Sequence, residues 1–96
     1  MKPAFYITLN IKTADGFECY GRFSLGNDRD FAYSLFRRLE GSDEVDEKSV
    51  LHMDFMEIRN GLPINLKVKS CNLQQLADNC KTITRETFKL FNLEEM

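Results

Sequence analysis

A hairpin followed by a helix is written twice along this chain, and that repeat limits the available folds more than any other feature. Gly16 and Gly61 each sit in a turn between two runs of alternating apolar and polar residues. Asn27 and Asn72 each open an amphipathic segment at the same offset from those turns. The order is therefore strand–strand–helix, twice. Few aligned residues are identical beyond these pairs and Ala32/Ala77, so the repeat is one of structure more than of sequence.

In the first hairpin, Phe5, Ile7, Leu9 and Ile11 alternate with Tyr6, Thr8, Asn10 and Lys12. A period of two marks a strand with one buried face. The next strand sets Phe17, Cys19, Phe23 and Leu25 against Glu18, Tyr20, Arg22 and Ser24. A two-residue Asp15-Gly16 loop would put Leu9 opposite Arg22 and mix apolar with polar residues on both faces. A three-residue loop, Ala14-Asp15-Gly16, instead places Ile11 opposite Cys19, Ile7 opposite Phe23 and Phe5 opposite Leu25. It uses Gly16 where a left-handed residue is needed and sets Lys12 across from Glu18. The three-residue loop is the expectation.

In the second hairpin, Asn60-Gly61 reads as a two-residue type I′ turn. It puts Leu51, Met53 and Phe55 opposite Ser70, Val68 and Leu66, and Asp54 opposite Lys67. Pro63 lacks an N–H, which suits a strand that starts late or lies at a sheet edge.

The first helix is expected to begin at Asn27, with Asp28 and Asp30 in its first turn where the helix dipole favours them. Its apolar stripe is Phe31, Ala32, Leu35, Phe36 and Leu39, and Gly41 ends it. The second opens with Asn72 and Gln75 at capping-box spacing. Leu73, Leu76, Ala77, Cys80, Ile83, Phe88 and Phe91 follow at helical intervals. The β-branched run Thr82-Ile83-Thr84 leaves open whether this helix runs through or restarts at Thr84. Phe88, Phe91 and Leu93 are expected to complete the core; undocked, they would form an exposed stripe for a groove on another protein.

Each hairpin has one apolar face and each helix one apolar stripe. The expected fold is thus a single α+β domain of ββαββα order: a four-stranded antiparallel sheet with two helices packed on one face. The hairpin–helix units span residues 4–41 and 50–93, joined by a solvated acidic connection over residues 42–49 that carries Asp43, Glu44, Asp46 and Glu47. Strand order between the hairpins is not set by these patterns.

With the helices on one side, parity describes the open face. It would show Tyr6, Thr8, Asn10, Lys12, Glu18, Tyr20, Arg22 and Ser24, then His52, Asp54, Met56, Ile58, Asn65, Lys67 and Lys69. Its cations outnumber its carboxylates although the 96-residue chain carries a net charge of −2. Aromatic, Met and Arg side chains are enriched at protein interfaces. The expected function is therefore non-enzymatic binding through Tyr6, Thr8, Tyr20, Arg22, His52, Met56, Lys67 and Lys69. The partner would be another protein or a second copy, held on the sheet face or at a strand edge. The alternative on the same face is single-stranded nucleic acid, with Tyr6 and Tyr20 stacking on bases and Arg22, Lys67 and Lys69 meeting phosphates. No RNP-like run supports it, and the overall acidity opposes a surface wholly committed to nucleic acid.

Catalysis has one candidate pair. In the two-residue-turn register Cys71 and His52 share a face, diagonal across neighbouring strands, and a thiol beside an imidazole is how cysteine nucleophiles are activated. Lys69 opposite His52, and the lack of a glycine-rich turn for an oxyanion hole, argue against it. One His and three scattered Cys lack the paired spacing of a zinc site. The acidic connection does not match a calcium loop, and Leu25-Gly26-Asn27-Asp28 offers a phosphate one Gly and a repelling carboxylate. No catalytic, metal or cofactor residues are assigned. Cys19 and Cys80 fall on core-facing stripes. An odd cysteine count without CxxC spacing suits a reducing compartment, and no sorting signal or apolar span is seen, so a cytoplasmic location is expected and a membrane partner is not.

Overall fold

In the computed structural model, which describes residues 3–92, the elements follow the expected order. They are β1 (Ala4–Thr13), β2 (Gly16–Gly26), α1 (Arg29–Arg38), β3 (Leu51–Arg59), β4 (Leu62–Cys71) and α2 (Leu73–Asn92). All strands pair antiparallel in one sheet of order β2-β1-β3-β4. The two first strands of the hairpins thus meet in the middle, and β2 and β4 form the edges.

Local chemistry accounts for the element ends. The Asn60-Gly61 turn forms as expected: both residues have positive φ (53° and 81°), which a type I′ turn requires, and Arg59 pairs with Leu62 across it. At the start of α2 the capping box closes in both directions. The Gln75 backbone N–H donates to Asn72 Oδ1 (2.7 Å), and the Asn72 N–H donates to Gln75 Oε1 (3.0 Å). The α1 cap falls one residue later than expected, at Asp28, whose carboxylate accepts from the Phe31 N–H at 3.1 Å. α1 stops at Leu39, before Gly41. Gly41 serves a close approach instead: a Cβ there would sit 2.8 Å from the Ser70 carbonyl oxygen, where the chain pairs Ser42 with Ser70 at the β4 edge. α2 is unbroken through Thr84.

The core lies between the sheet and both helices. Phe55 is fully buried, stacked on Phe36 with ring centroids 5.0 Å apart and met edge-on by Tyr33 at the same distance. Ile7, Leu25, Leu35, Met53 and Ile83 close around it. Asn79 of α2 is also buried and takes both backbone groups of Glu40. Its Oδ1 accepts from the Glu40 N–H (2.7 Å) and its Nδ2 donates to the Glu40 carbonyl (2.8 Å). One side chain thereby pins the end of α1 to α2.

The hairpin registers depart from expectation in one consistent way. In the first, the loop is Ala14-Asp15, with Thr13 paired to Gly16, so Lys12 faces Phe17 and Ile11 faces Glu18. A bulge at Tyr20 then restores the expected Ile7–Phe23 pair, and a second irregularity places Phe5 opposite Gly26 rather than Leu25. In the second, Met56–Asn65 and Ile58–Pro63 follow from the turn. A bulge at Leu66 then puts Phe55, Met53 and Leu51 opposite Lys67, Lys69 and Cys71. An extra residue in one strand exchanges the faces of everything beyond it.

Phe88 and Phe91, expected in the core, are 57% and 58% exposed. α2 has already buried Leu76, Asn79 and Ile83 against the sheet, and its final turns run out past the β2 edge beside Ser24 and Gly26. Leu93 lies outside the described residues.

Candidate functional site on the open sheet face

The register places Tyr6, Thr8, Asn10 and Lys12 of β1 on the face away from the helices. Phe17, Cys19, Arg22 and Ser24 of β2 join them, with His52, Asp54, Met56 and Ile58 of β3 and Asn65, Val68 and Ser70 of β4. Of the eight expected site residues, Tyr6, Thr8, Arg22, His52 and Met56 are here.

Tyr20, Lys67 and Lys69 are not, and each is a correction with the same cause. The bulges turn all three to the helix side. Tyr20 shares a face with Glu18, to which its hydroxyl donates (3.4 Å). Lys67 lies opposite Phe55, and Lys69 opposite Met53. Lys69 is buried, its ammonium donating to the Leu39 carbonyl at 2.6 Å and lying 5.2 Å from the centre of the Phe36 ring. It therefore satisfies a carbonyl at the end of α1, and burial pushes its pKa down. Cys71 also moves to the covered face. Its thiol donates to the Glu40 carbonyl (3.5 Å) and burial pushes its pKa up, while His52 stays on the open face, so the Cys71–His52 pair is not assembled. Cys19 moves the other way: expected in the core, it is exposed on the open face.

What remains is a tighter cluster than parity suggested. Arg22 lays its guanidinium 3.9 Å over the Tyr6 ring, which leaves that tyrosine 7% exposed on a face no element covers. Phe17 stacks on His52 with centroids 4.2 Å apart. Asn10 donates to Thr8 Oγ1 (3.1 Å), and Asn65 donates to Asp54 Oδ2 (3.0 Å). In the middle, His52 Nε2 and Asp54 Oδ1 are shut off from water and make no hydrogen bond of good geometry among the described residues, although the Asn10 amide lies near enough to Asp54 to favour its charged form. Burial raises the Asp54 pKa, opposed by the Asn10 amide, the His52 ring and the Asn65 amide.

Such a pair offers an acceptor and a ring nitrogen that donates or accepts with its tautomer, a receptor for a hydroxyl or amide group. Phe17 and Val68 were missed by sequence reasoning at this site, whereas Asn65 was expected on this face and is there. Gly21 was the available signal in β2, since a glycine inside a strand marks a bulge; β4 carries no equivalent.

Among the described residues no group of three or more His, Cys, Asp or Glu side chains is arranged to hold a metal, and no helix is long and apolar enough to cross a membrane. Fold and face together define a small α+β module with an uncovered, polar-centred sheet. No family model matches the chain, and no curated protein or solved structure is significantly similar to it.

Proposed function

We propose that the protein is a binding module that contacts another protein through the open sheet face, with a second copy of the chain as the occupant. The unpartnered His52 Nε2 and Asp54 Oδ1 at the centre of that face carry the reading. Buried polar groups are satisfied in the great majority of cases, and an orphan pair at the centre of an uncovered face is what a partner's polar group completes. Self-pairing is supported by the charge pattern. Arg22, Thr8 and Asp54 occupy one row across β2, β1 and β3. A two-fold axis along the strands would lay β1 on the partner's β3, and each Arg22 would then reach toward the partner's Asp54, the self-complementarity an isologous contact needs. The nucleic-acid reading has lost Tyr20, Lys67 and Lys69 from the face, which leaves it Tyr6 and Arg22 alone of its five residues.

Light scattering after size-exclusion chromatography tests the proposal. The wild type is expected to be a dimer, Arg22→Asp and Asp54→Arg each a folded monomer, and the double exchange a dimer again. A monomeric wild type at the highest soluble concentration overturns the reading, as does a dimer untouched by either substitution.

A further inference from the structure

The two edges of the sheet are finished differently. β4 is protected: Ser42 exchanges two backbone hydrogen bonds with Ser70 (2.9 and 2.8 Å), and Pro63 has no N–H to offer. β2 is the other edge and meets no further strand among the described residues. Beside it runs the C-terminal half of α2. Ser24, Thr84, Thr87, Phe88 and Phe91 line a groove of about 320 Å³, which shares Thr84 and Phe88 with a larger one of about 700 Å³ walled by Cys80, Lys81, Thr84, Arg85, Phe88 and Lys89. An open strand edge and an apolar trough therefore lie side by side.

The trough has a charged rim. Arg38, Arg85 and Lys89 converge on the single carboxylate of Glu86, at 3.0, 3.4 and 3.5 Å, and Lys81 adds a fourth cation with no ion-pair partner among the described residues. The Arg38 hydrogen bond holds the Glu86 pKa below its ordinary value. Cations outnumber carboxylates here in a chain that is acidic overall.

The geometry points to a peptide-binding groove: an extended acidic segment of a partner protein adds to β2 as a fifth strand and drops alternate apolar side chains against Thr84 and Phe88. Main-chain hydrogen bonds to residues 21–24, the regular run between the two irregularities of β2, supply the docking, and the trough and its cationic rim select apolar and acidic side chains at alternate positions. A strand is favoured over an acidic helix because the unpaired edge meets the groove at Ser24. A second copy laid α2 to α2 is disfavoured because it would face one set of cations with another. The groove meets the open face only at Ser24 and does not depend on the reading given to that face.

The test is an amide-shift titration of the isotope-labelled protein with the peptide acetyl-Glu-Val-Glu-Phe-Asp-Val-Glu-amide. Shift changes are expected along residues 21–26 and 80–91, with Thr8, His52 and Asp54 unmoved. The exposed double variant Arg85→Glu, Lys89→Glu should bind about tenfold more weakly. The same peptide methylated at alternate backbone nitrogens, and a version with lysine for each acid, should not bind. The inference is overturned by an absence of shifts at the highest soluble peptide concentration, by full affinity of the methylated or lysine peptide, or by shifts confined to the open face. It is equally overturned if an acidic helix-forming peptide or phosphatidylglycerol vesicles bind α2 more tightly than the strand peptide.

Discussion

The covered and open faces of the same sheet treat polar groups in opposite ways. On the covered face the buried side chains of Glu57, Lys69 and Asn79 all have partners. Glu57, 1% exposed, is held by Arg59 through two contacts (2.8 and 3.3 Å) and by Arg29 at 3.6 Å; Lys69 caps a helix carbonyl, and Asn79 binds both backbone groups of Glu40. On the open face His52 Nε2 and Asp54 Oδ1 are just as closed to water and unmatched. A buried charge or amide in a folding core must be compensated within the chain, because its desolvation is otherwise unopposed. A surface reserved for contact can leave that compensation to a partner. On the proposed reading, that difference separates stability from binding in this molecule.

Substitutions should divide along the same line. The largest effect belongs to the covered face: Phe55→Ala, which empties the centre of the aromatic cluster, should cost about 3–5 kcal/mol in denaturant unfolding. Asn79→Ala leaves the Glu40 N–H and carbonyl unmet beneath α2 and should cost about 2–4 kcal/mol by the same measurement. The open-face pair should behave differently. Replacing both orphans, His52→Phe with Asp54→Leu, should leave stability unchanged or raise it by up to about 1 kcal/mol, while abolishing self-association. A loss as large as that of Asn79→Ala would show that the pair belongs to the folded monomer and would erase the contrast.

Proton linkage gives a finer comparison, since the two carboxyls carry opposite signs. Arg59, through its hydrogen bonds and charge, and then Arg29 hold Glu57 below its ordinary 4.5 despite burial. Its stabilisation is therefore present above that value and is lost as pH falls through the depressed folded pKa. Burial lifts Asp54 above its ordinary 3.8. What it adds is fully present below 3.8 and is lost as pH rises through the raised folded pKa. Unfolding of Glu57→Gln should thus lose the Glu57 share of the wild type's acid-side fall in stability, the Glu86 share remaining, and Asp54→Asn should lose a decline on the way to neutral pH. The same slope in both variants would contradict the assignment of the two environments.

The inner strands were far more legible in the sequence than the outer ones. Phe5, Ile7, Leu9 and Ile11 of β1, and Leu51, Met53 and Phe55 of β3, face the helices as their alternation predicts. Each is paired on both sides, so an inserted residue would break two ladders. β2 and β4 are edges and bulge, which is why Phe17 and Cys19 joined the open face while Tyr20, Lys67, Lys69 and Cys71 left it. Parity counting assumes an unbroken register, so its errors run from the turn to the Tyr20 bulge in β2 and from Leu66 onward in β4.

Sequence by itself determined what short-range chemistry decides: the ββαββα order, the Asn60-Gly61 turn, the Asn72–Gln75 capping box, and the α+β class that follows from two half-apolar hairpins and two striped helices. Tertiary structure decided the order β2-β1-β3-β4, the two mid-strand bulges, the burial of Lys69 at the end of α1 and the exposure of Phe88 and Phe91 beyond the β2 edge. Turns and caps are satisfied by neighbours a few residues away, so their residues announce them. A bulge or a buried amine is settled by what stands opposite once the chain has folded, and no local pattern records that.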